Sequence, residues 1–305
     1  MNAGIKMALE RRREATGDIV SEVAANAVRE FDFSDADFKS LVQLAHAHTG
    51  IALTDSKRNL VYGRLSRRLR ALGLSSFHEY REYLQSPDGE LEIEGFINSI
   101  STNLTKLFRE SHHFDHLRAH VAMPFARSGS AMPGARLRIW SAGCSTGEEP
   151  YTIAIVLKRE MPKIAHHDAR ILATDIDTEV LARAAQGEYP VTALQDVPAM
   201  YRDMVQPKKA NASATTMVMD EELRSLISFR HLNLMKPWLF KGPFDAIFCR
   251  NVMIYFDVPT KVELIDRFID KLKPGGWLYI GHSESLLGSH PNLQLVGRTI
   301  YRRFE

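Results

Sequence analysis

The sequence predicts an α/β fold: a parallel, doubly wound sheet forms the larger part, and a small all-helical unit precedes it. Three observations predict this. Between Leu137 and Ile280, short apolar strands alternate with amphipathic helices, the order that βαβ crossovers impose. A glycine-containing turn, Gly143-Cys144-Ser145-Thr146-Gly147, follows the first of those strands and opens a helix. Ahead of a breaker-rich linker at 127–135, the patterned stretches read as helix.

Residues 1–32 are charged, Ala-rich and weakly patterned, and are expected to form a tail or loose helix. Ser34-Asp35-Ala36-Asp37 resembles a capping box, and Phe38, Leu41, Val42 and Ala45 then share one face up to Thr49-Gly50. A second helix opens at Asp55 and stops at Gly73. Ser76 caps a third, and a fourth runs from about Leu91 to Ile100. Residues 33–94 are assigned to this helical domain, and 95–305 to the second domain. Ser101 to Phe108 is a polar interruption, and Arg109 to about Phe125 predicts one more helix.

Past the linker, strands are expected at 137–140, 171–174, 244–249 and 277–280, with helices at about 148–160, 178–186 and 259–272. Residues 187–230 break the alternation, with Pro190, Pro198, Pro207 and a polar run, and are expected to be an inserted subdomain at the sheet edge. Leu293–Val296 and Thr299–Phe304 flank Gly297-Arg298, which predicts a closing antiparallel hairpin.

Composition narrows the function classes. The 305 residues are 45% hydrophobic and 25% charged, ordinary for a globular protein with a sizeable core. With 39 basic and 37 acidic residues the net charge is +2, so nucleic acid would need a local patch. Two cysteines, Cys144 and Cys249, exclude a disulfide scaffold and a four-cysteine zinc site, and are expected to be free thiols. The apolar runs are too short to span a bilayer and the N-terminus has no apolar signal core, so a cytoplasmic chain is expected.

The glycine turn lets a ligand approach the backbone at a helix N-terminus. The second strand ends at Thr174-Asp175-Ile176-Asp177, which brings a carboxylate to the same sheet edge, where doubly wound folds hold adenosine ribose. Three chemistries use such a corner. Nicotinamide binding is poorly matched, since Ser145 stands at the second glycine of G-x-G-x-x-G and Asp175 comes late. A serine hydrolase is spelled by G-x-S-x-G with Asp245 and His282 downstream, but no earlier strand supplies an oxyanion hole. S-adenosylmethionine binding suits the closing hairpin and Leu272-Lys273-Pro274-Gly275-Gly276 before a strand.

Five segments together resemble the CheR family of chemotaxis receptor glutamate O-methyltransferases. They are 103–110 (NLTKLFRE), 145–151 (STGEEPY), 175–177 (DID), 244–257 (FDAIFCRNVMIYFD) and 281–284 (GHSE). The likeness runs from about Phe33 to the end. It implies a class I S-adenosylmethionine-dependent methyltransferase sheet, Rossmann-like, ending in an antiparallel hairpin, with an inserted β-subdomain and a helical N-terminal domain. The implied substrates are glutamate carboxylates on the cytoplasmic helices of methyl-accepting receptors, and S-adenosylhomocysteine is the implied product. A cofactor-binding signalling module without turnover is the alternative. A monomer is expected, with no metal, no nucleic acid and no membrane insertion.

The resemblance also implies roles. Asn103, Thr105 and Arg109 would reach the cofactor from the segment before the linker. Gly143 would pass close to it, and Glu149, with Glu148 the runner-up, would meet the methionine ammonium. Asp175 would hold the ribose, Asn233 and Leu234 would lie by the adenine, and Asn251 and Val252 near the methionine moiety. Arg109 and Tyr255 would face the substrate carboxylate. Arg64, Arg67 and Arg68 lie on the basic side of the second helix, where no acid stands between Ser56 and Ser76, and are expected to dock an acidic receptor helix. That face has no interleaved aromatics for nucleic acid. The family's inserted subdomain often grips a receptor tail through a glycine-rich loop, and 206–219 contains no glycine. His112, His116 and His120 recur every fourth residue and are expected to be structural rather than zinc ligands.

Overall fold

The computed structural model describes residues 29–127, 135–205, 215–286 and 290–304. A capping box starts the first helix, α1 (Asp35–Thr49): the Ser34 hydroxyl accepts from the Asp37 N–H, and the Asp37 carboxylate accepts from the Ser34 N–H. Gly50 ends it at φ 74°, and a Cβ there would come 2.6 Å from Met235 Sδ in the other domain. A 3-10 turn at Asp55–Lys57 leads into α2 (Arg58–Leu72), followed by α3 (Phe77–Gln85) and α4 (Glu92–Ile100). Their apolar faces close one core around Phe33, Leu41, Leu65, Phe77, Tyr80 and Phe96.

Two expectations change here. The expected tail gives out before residue 32, because Phe31 is buried and meets Phe77 edge-on at 6.3 Å. Residues 1–28 lie outside the described residues. The expected boundary at 94/95 falls inside α4, which runs unbroken with Phe96 and Ile100 in the helical core.

A turn at 107–111 precedes α5 (His112–Leu117), which widens into a π-type turn at Arg118–Ala122 and continues as α6 (Met123–Arg127). The helix therefore begins three residues later than Arg109 predicts. The main sheet follows: β1 (Arg136–Ala142), α7 (Glu148–Glu160), β2 (Asp168–Asp175) and α8 (Thr178–Gln186). Next come β3 (Glu188–Pro190) and β4 (Thr216–Val218), a separate antiparallel pair, with the short helix α9 (Glu221–Ser225). The chain ends through β5 (Ile227–His231), β6 (Phe244–Cys249), α10 (Val258–Lys271), β7 (Leu272–Ile280), β8 (Leu293–Gly297) and β9 (Ile300–Arg303).

The seven-stranded order is β5-β2-β1-β6-β7-β9-β8, parallel as far as β7, with β9 antiparallel to both of its neighbours. The order reverses between β1 and β6, and ligands settle outside the carboxyl ends of strands at such a point. Of the expected insertion at 187–230, the described residues form the separate β3–β4 pair and 206–214 of the glycine-free loop lie outside them, while Ile227 to Arg230 belong to the main sheet as β5, paired in parallel with β2. β7 begins five residues before the expected 277–280 strand, and its pairing with β6 slips between Phe244 and Ala246 to absorb Pro274-Gly275-Gly276. The hairpin turn is Arg298-Thr299, one residue later than expected, since Gly297 still pairs with Ile300.

Candidate active site

A cleft of about 530 Å³ opens at the carboxyl ends of β1, β2 and β6 and is roofed by the helical domain. That volume is ordinary for a cofactor-sized ligand. Asn103, Thr105, Arg109, Gly143, Glu149, Asp175, Asn233, Leu234, Asn251, Val252 and Tyr255 all line it. These eleven positions come from five stretches of chain, and the fold brings them to one wall.

The glycine turn has the conformation its sequence demands. Gly143 takes φ 79°, Ser145 φ 51° and Gly147 φ 96°. A Cβ on Gly143 would stand 2.3 Å from Val252 Cγ2, so nothing larger than glycine lets β1 and the loop after β6 meet here. Asp175, at the tip of β2, accepts the Ser145 N–H at 2.7 Å and the Asp177 N–H at 3.0 Å. Burial pushes its carboxyl up, and these backbone donors oppose that. A carboxylate has about four acceptor sites, so these two bonds do not exhaust it. Asp177 caps α8 instead, and is bonded by the Asn103 amide at 2.7 Å.

Glu149 faces the cleft, whereas Glu148 turns away to accept the Thr146 hydroxyl at 2.6 Å. Glu149 takes a hydrogen bond from Ser141 at 2.7 Å and one from Arg250 Nη1 at 3.0 Å. Burial raises its carboxyl, with Arg250 and Ser141 pulling the other way. Arg250 also donates to the carbonyl of Arg109 and stands 3.4 Å from Glu110 Oε2. Burial would raise the Glu110 carboxyl, but the Arg250 charge and the His282 hydrogen bonds outweigh it and hold it at about 2. Two carboxylates, Glu149 and Glu110, thus flank one guanidinium.

Arg109 and Tyr255, expected to face the substrate carboxylate, line the same cleft. The Arg109 guanidinium donates to the Leu104 carbonyl at 2.8 Å. Tyr255 ends a 3-10 turn, Met253–Tyr255, whose last carbonyl accepts from the Ala52 N–H at 2.8 Å. Asn251 holds φ 59° and donates its N–H to Glu284 at 2.9 Å. Asn233 spends its amide on the scaffold: it donates to the His48 carbonyl at 2.5 Å and accepts from Met235 N–H at 2.9 Å.

The three docking arginines divide. Arg68 is locked to buried Glu92 through two bonds, at 2.9 and 2.5 Å. Arg64 donates to the carbonyls of Ile100 and Ser101 at 2.6 and 2.8 Å and to Thr102 at 3.0 Å. The premise of that expectation, that these charges have no partners, is corrected: Glu92, from outside α2, pairs Arg68, and Arg64 is engaged by neutral acceptors. Arg58 likewise pairs with Asp35, and Arg70 with Glu30. Arg67 stands exposed.

Sequence reasoning missed Glu110, Arg250 and Glu284 as individual residues. Glu284 accepts N–H groups from Gly281, Asn251 and Ile254 and so ties the ends of β6 and β7 together. The histidines have packing roles: His116 and His120 stack at 4.2 Å against Trp277, and His116 bonds the Tyr279 hydroxyl at 3.0 Å. Both cysteines are buried and free, and burial pushes their thiols up, which disfavours the thiolate.

Two family models match successive stretches of this chain: the CheR all-alpha domain over residues 36–101, and the CheR methyltransferase SAM binding domain over 103–302. The chain belongs to the CheR methyltransferase family. A probable chemotaxis protein methyltransferase of Rhizobium etli is 44% identical over 85% of this chain and 96% of its own length. Chemotaxis protein methyltransferase 2 of Pseudomonas aeruginosa is 42% identical, covering 90% of this chain and 95% of that one. The Escherichia coli chemotaxis protein methyltransferase is 42% identical over 88% and 91%. This CheR chain is thus an S-adenosylmethionine-dependent methyltransferase. Among the described residues no helix is long and apolar enough to cross a membrane.

Proposed function

We propose that this chain esterifies glutamate side chains on the cytoplasmic helices of chemoreceptors, with Arg109 and Tyr255 holding the carboxylate under attack. The observation that carries the reading is the convergence of Asp175, Glu149, Arg109 and Tyr255 on one cleft. S-adenosylmethionine, when bound, supplies an activated methyl on a sulfonium. Asp175 binds the ribose, Glu149 the amino group, and the Gly143 turn gives the chain close backbone approach. Asn103, Thr105, Asn233, Leu234, Asn251 and Val252 complete the lining.

The substrate carboxylate is ionised near neutral pH, so the site needs no general base. Its work is alignment and water exclusion, because opposite charges are annihilated as the methyl passes. Arg109 and the Tyr255 hydroxyl orient the carboxylate by hydrogen bonds. Leu60 and Leu104, both exposed, line the same cleft with Lys57, a surface suited to an amphipathic acidic helix. Arg67 adds an exposed positive charge on α2.

The test is transfer of labelled methyl from S-adenosylmethionine to a receptor cytoplasmic fragment, with S-adenosylhomocysteine as competitor. Label released as methanol by mild alkali is expected, as a carboxyl methyl ester requires. Absence of alkali-labile label overturns the reading. Cofactor binding without any transfer would favour the non-catalytic module instead.

A further inference from the structure

Arg109 sits between two non-glycine residues in the left-handed region, Phe108 at φ 52° and Glu110 at φ 56°. Side chains rarely accept that conformation, and it persists only where the surroundings over-determine it. On one side the Phe108 N–H donates to Thr152 at 3.1 Å and its ring stacks on Tyr201 at 4.9 Å. On the other side Glu110, whose side chain is 10% exposed, makes the contacts. Its Oε1 accepts from His282 Nδ1 at 2.7 Å and from the His282 N–H at 3.3 Å, and its Oε2 faces Arg250 at 3.4 Å and His113 Nδ1 at 3.5 Å. Arg250 then donates to the Arg109 carbonyl and to Glu149. One carboxylate therefore joins the turn that carries Arg109, the end of β6 and the loop after β7.

We propose that Glu110 is a positioning residue for methyl transfer: with Arg250 it latches the strained turn so that the Arg109 side chain is presented to the cleft. The proposal rests on the reading of Arg109 as the substrate-facing arginine. It assigns Glu110 no contact with either substrate. Its effect passes through the backbone of the turn, so losing it should slow turnover while leaving the ribose and amino-group contacts in place.

The experiment is a double-mutant cycle on the full chain with Glu110→Gln, Arg109→Ala and the pair, reading kcat on a receptor fragment, cofactor Kd and melting temperature. Glu110→Gln keeps the shape and removes the charge that pairs Arg250. Its kcat should fall about 10- to 100-fold, the scale of a misplaced catalytic group, with cofactor Kd within about threefold. The double variant should be no slower than Arg109→Ala alone, because a latch has nothing to do once its bolt is gone. Losses that multiply, or a wild-type kcat in Glu110→Gln, overturn the latch. If Arg109→Ala itself turns over normally, the reading of Arg109 fails and the latch falls with it. Should Glu110→Gln not fold, His282→Ala removes the ring bond of the latch from the exposed side while its backbone N–H bond stays, and the same non-additivity with Arg109→Ala is required.

Discussion

Asp175 shows how much a single residue can reveal. A carboxylate at a strand tip beside a glycine turn is placed to meet a ligand, and here the fold buries it with acceptor capacity beyond the turn N–H groups it holds. Asp175→Ala should weaken S-adenosylmethionine binding by about 1.5–3 kcal/mol, the scale of hydrogen bonds to a charged group; calorimetry checks it, and unchanged affinity removes the residue from the site. His113 gives a different kind of prediction. It is fully buried beside Arg250 and bonded near Thr299, and burial first, then the Arg250 charge, lowers it to about 3. The unfolded chain takes up this proton near pH 6.5, while the folded chain does not until about pH 3. Its contribution to stability is therefore complete above about pH 6.5 and is lost as pH falls toward 3. Glu110 adds to the same trend between about pH 4.5 and 2. Melting temperature should fall with pH below 6.5, and His113→Gln should flatten the upper part of that slope. Arg250 and Glu110 were illegible one by one, because a sequence does not say which charges a fold will bury together.

Elements were legible where their own residues determine them and illegible where neighbours do. Ser34, Ser76 and the glycines at 50 and 73 mark helix ends by local chemistry, and α1 to α3 fall where those signals put them. β5 escaped because it is an edge strand: Ile227 is buried, while Arg230 and His231 are exposed, so neither alternation nor an apolar run shows. The charge of α2 misled for the converse reason. Counting acids along the chain from Ser56 to Ser76 cannot see Glu92, which arrives from α4. Arg68→Ala should leave that buried carboxylate with only the Tyr80 hydroxyl of its present side-chain partners, at 2.9 Å. A loss of about 2 kcal/mol in denaturant-midpoint stability is expected, near the low end for a broken buried pair because Arg68 keeps partial solvent contact. Receptor KM measured on the folded fraction should stay as in the wild type, which separates scaffold from docking.

At the scale of the whole molecule, the cofactor cleft belongs to both domains. The helical unit is tied to the sheet by Asn233 to the His48 carbonyl, by the Ile51–Phe256 bridge, and by Asn98 to Thr178 at 3.1 Å. Thr49, Ile51, Lys57 and Leu60 line the cleft alongside the end of β2 and the loops after β1 and β6. A helical domain concerned with docking alone would let its mutations leave cofactor affinity untouched, and this arrangement predicts otherwise for one residue. Arg64 grips the carbonyls of Ile100 and Ser101 and the Thr102 hydroxyl, the segment that runs straight on to Asn103 and Thr105 in the cleft. Removing three bonds from that guanidinium frees the segment to wander, and the ordering it then requires is charged against binding. Arg64→Ala should weaken S-adenosylmethionine about tenfold, or 1.4 kcal/mol. Arg67→Glu, on the exposed side of the same helix, should leave cofactor affinity and melting temperature unchanged while raising receptor KM several-fold. Salt should raise the wild-type KM in the same way, because exposed charges are screened over about 8–10 Å, and should do so less in the variant. Calorimetry on both variants and receptor methylation at two ionic strengths decide the matter. Equal cofactor affinity in Arg64→Ala would detach the helical domain from the cofactor site, and a normal KM in Arg67→Glu at low salt would remove α2 from the docking surface.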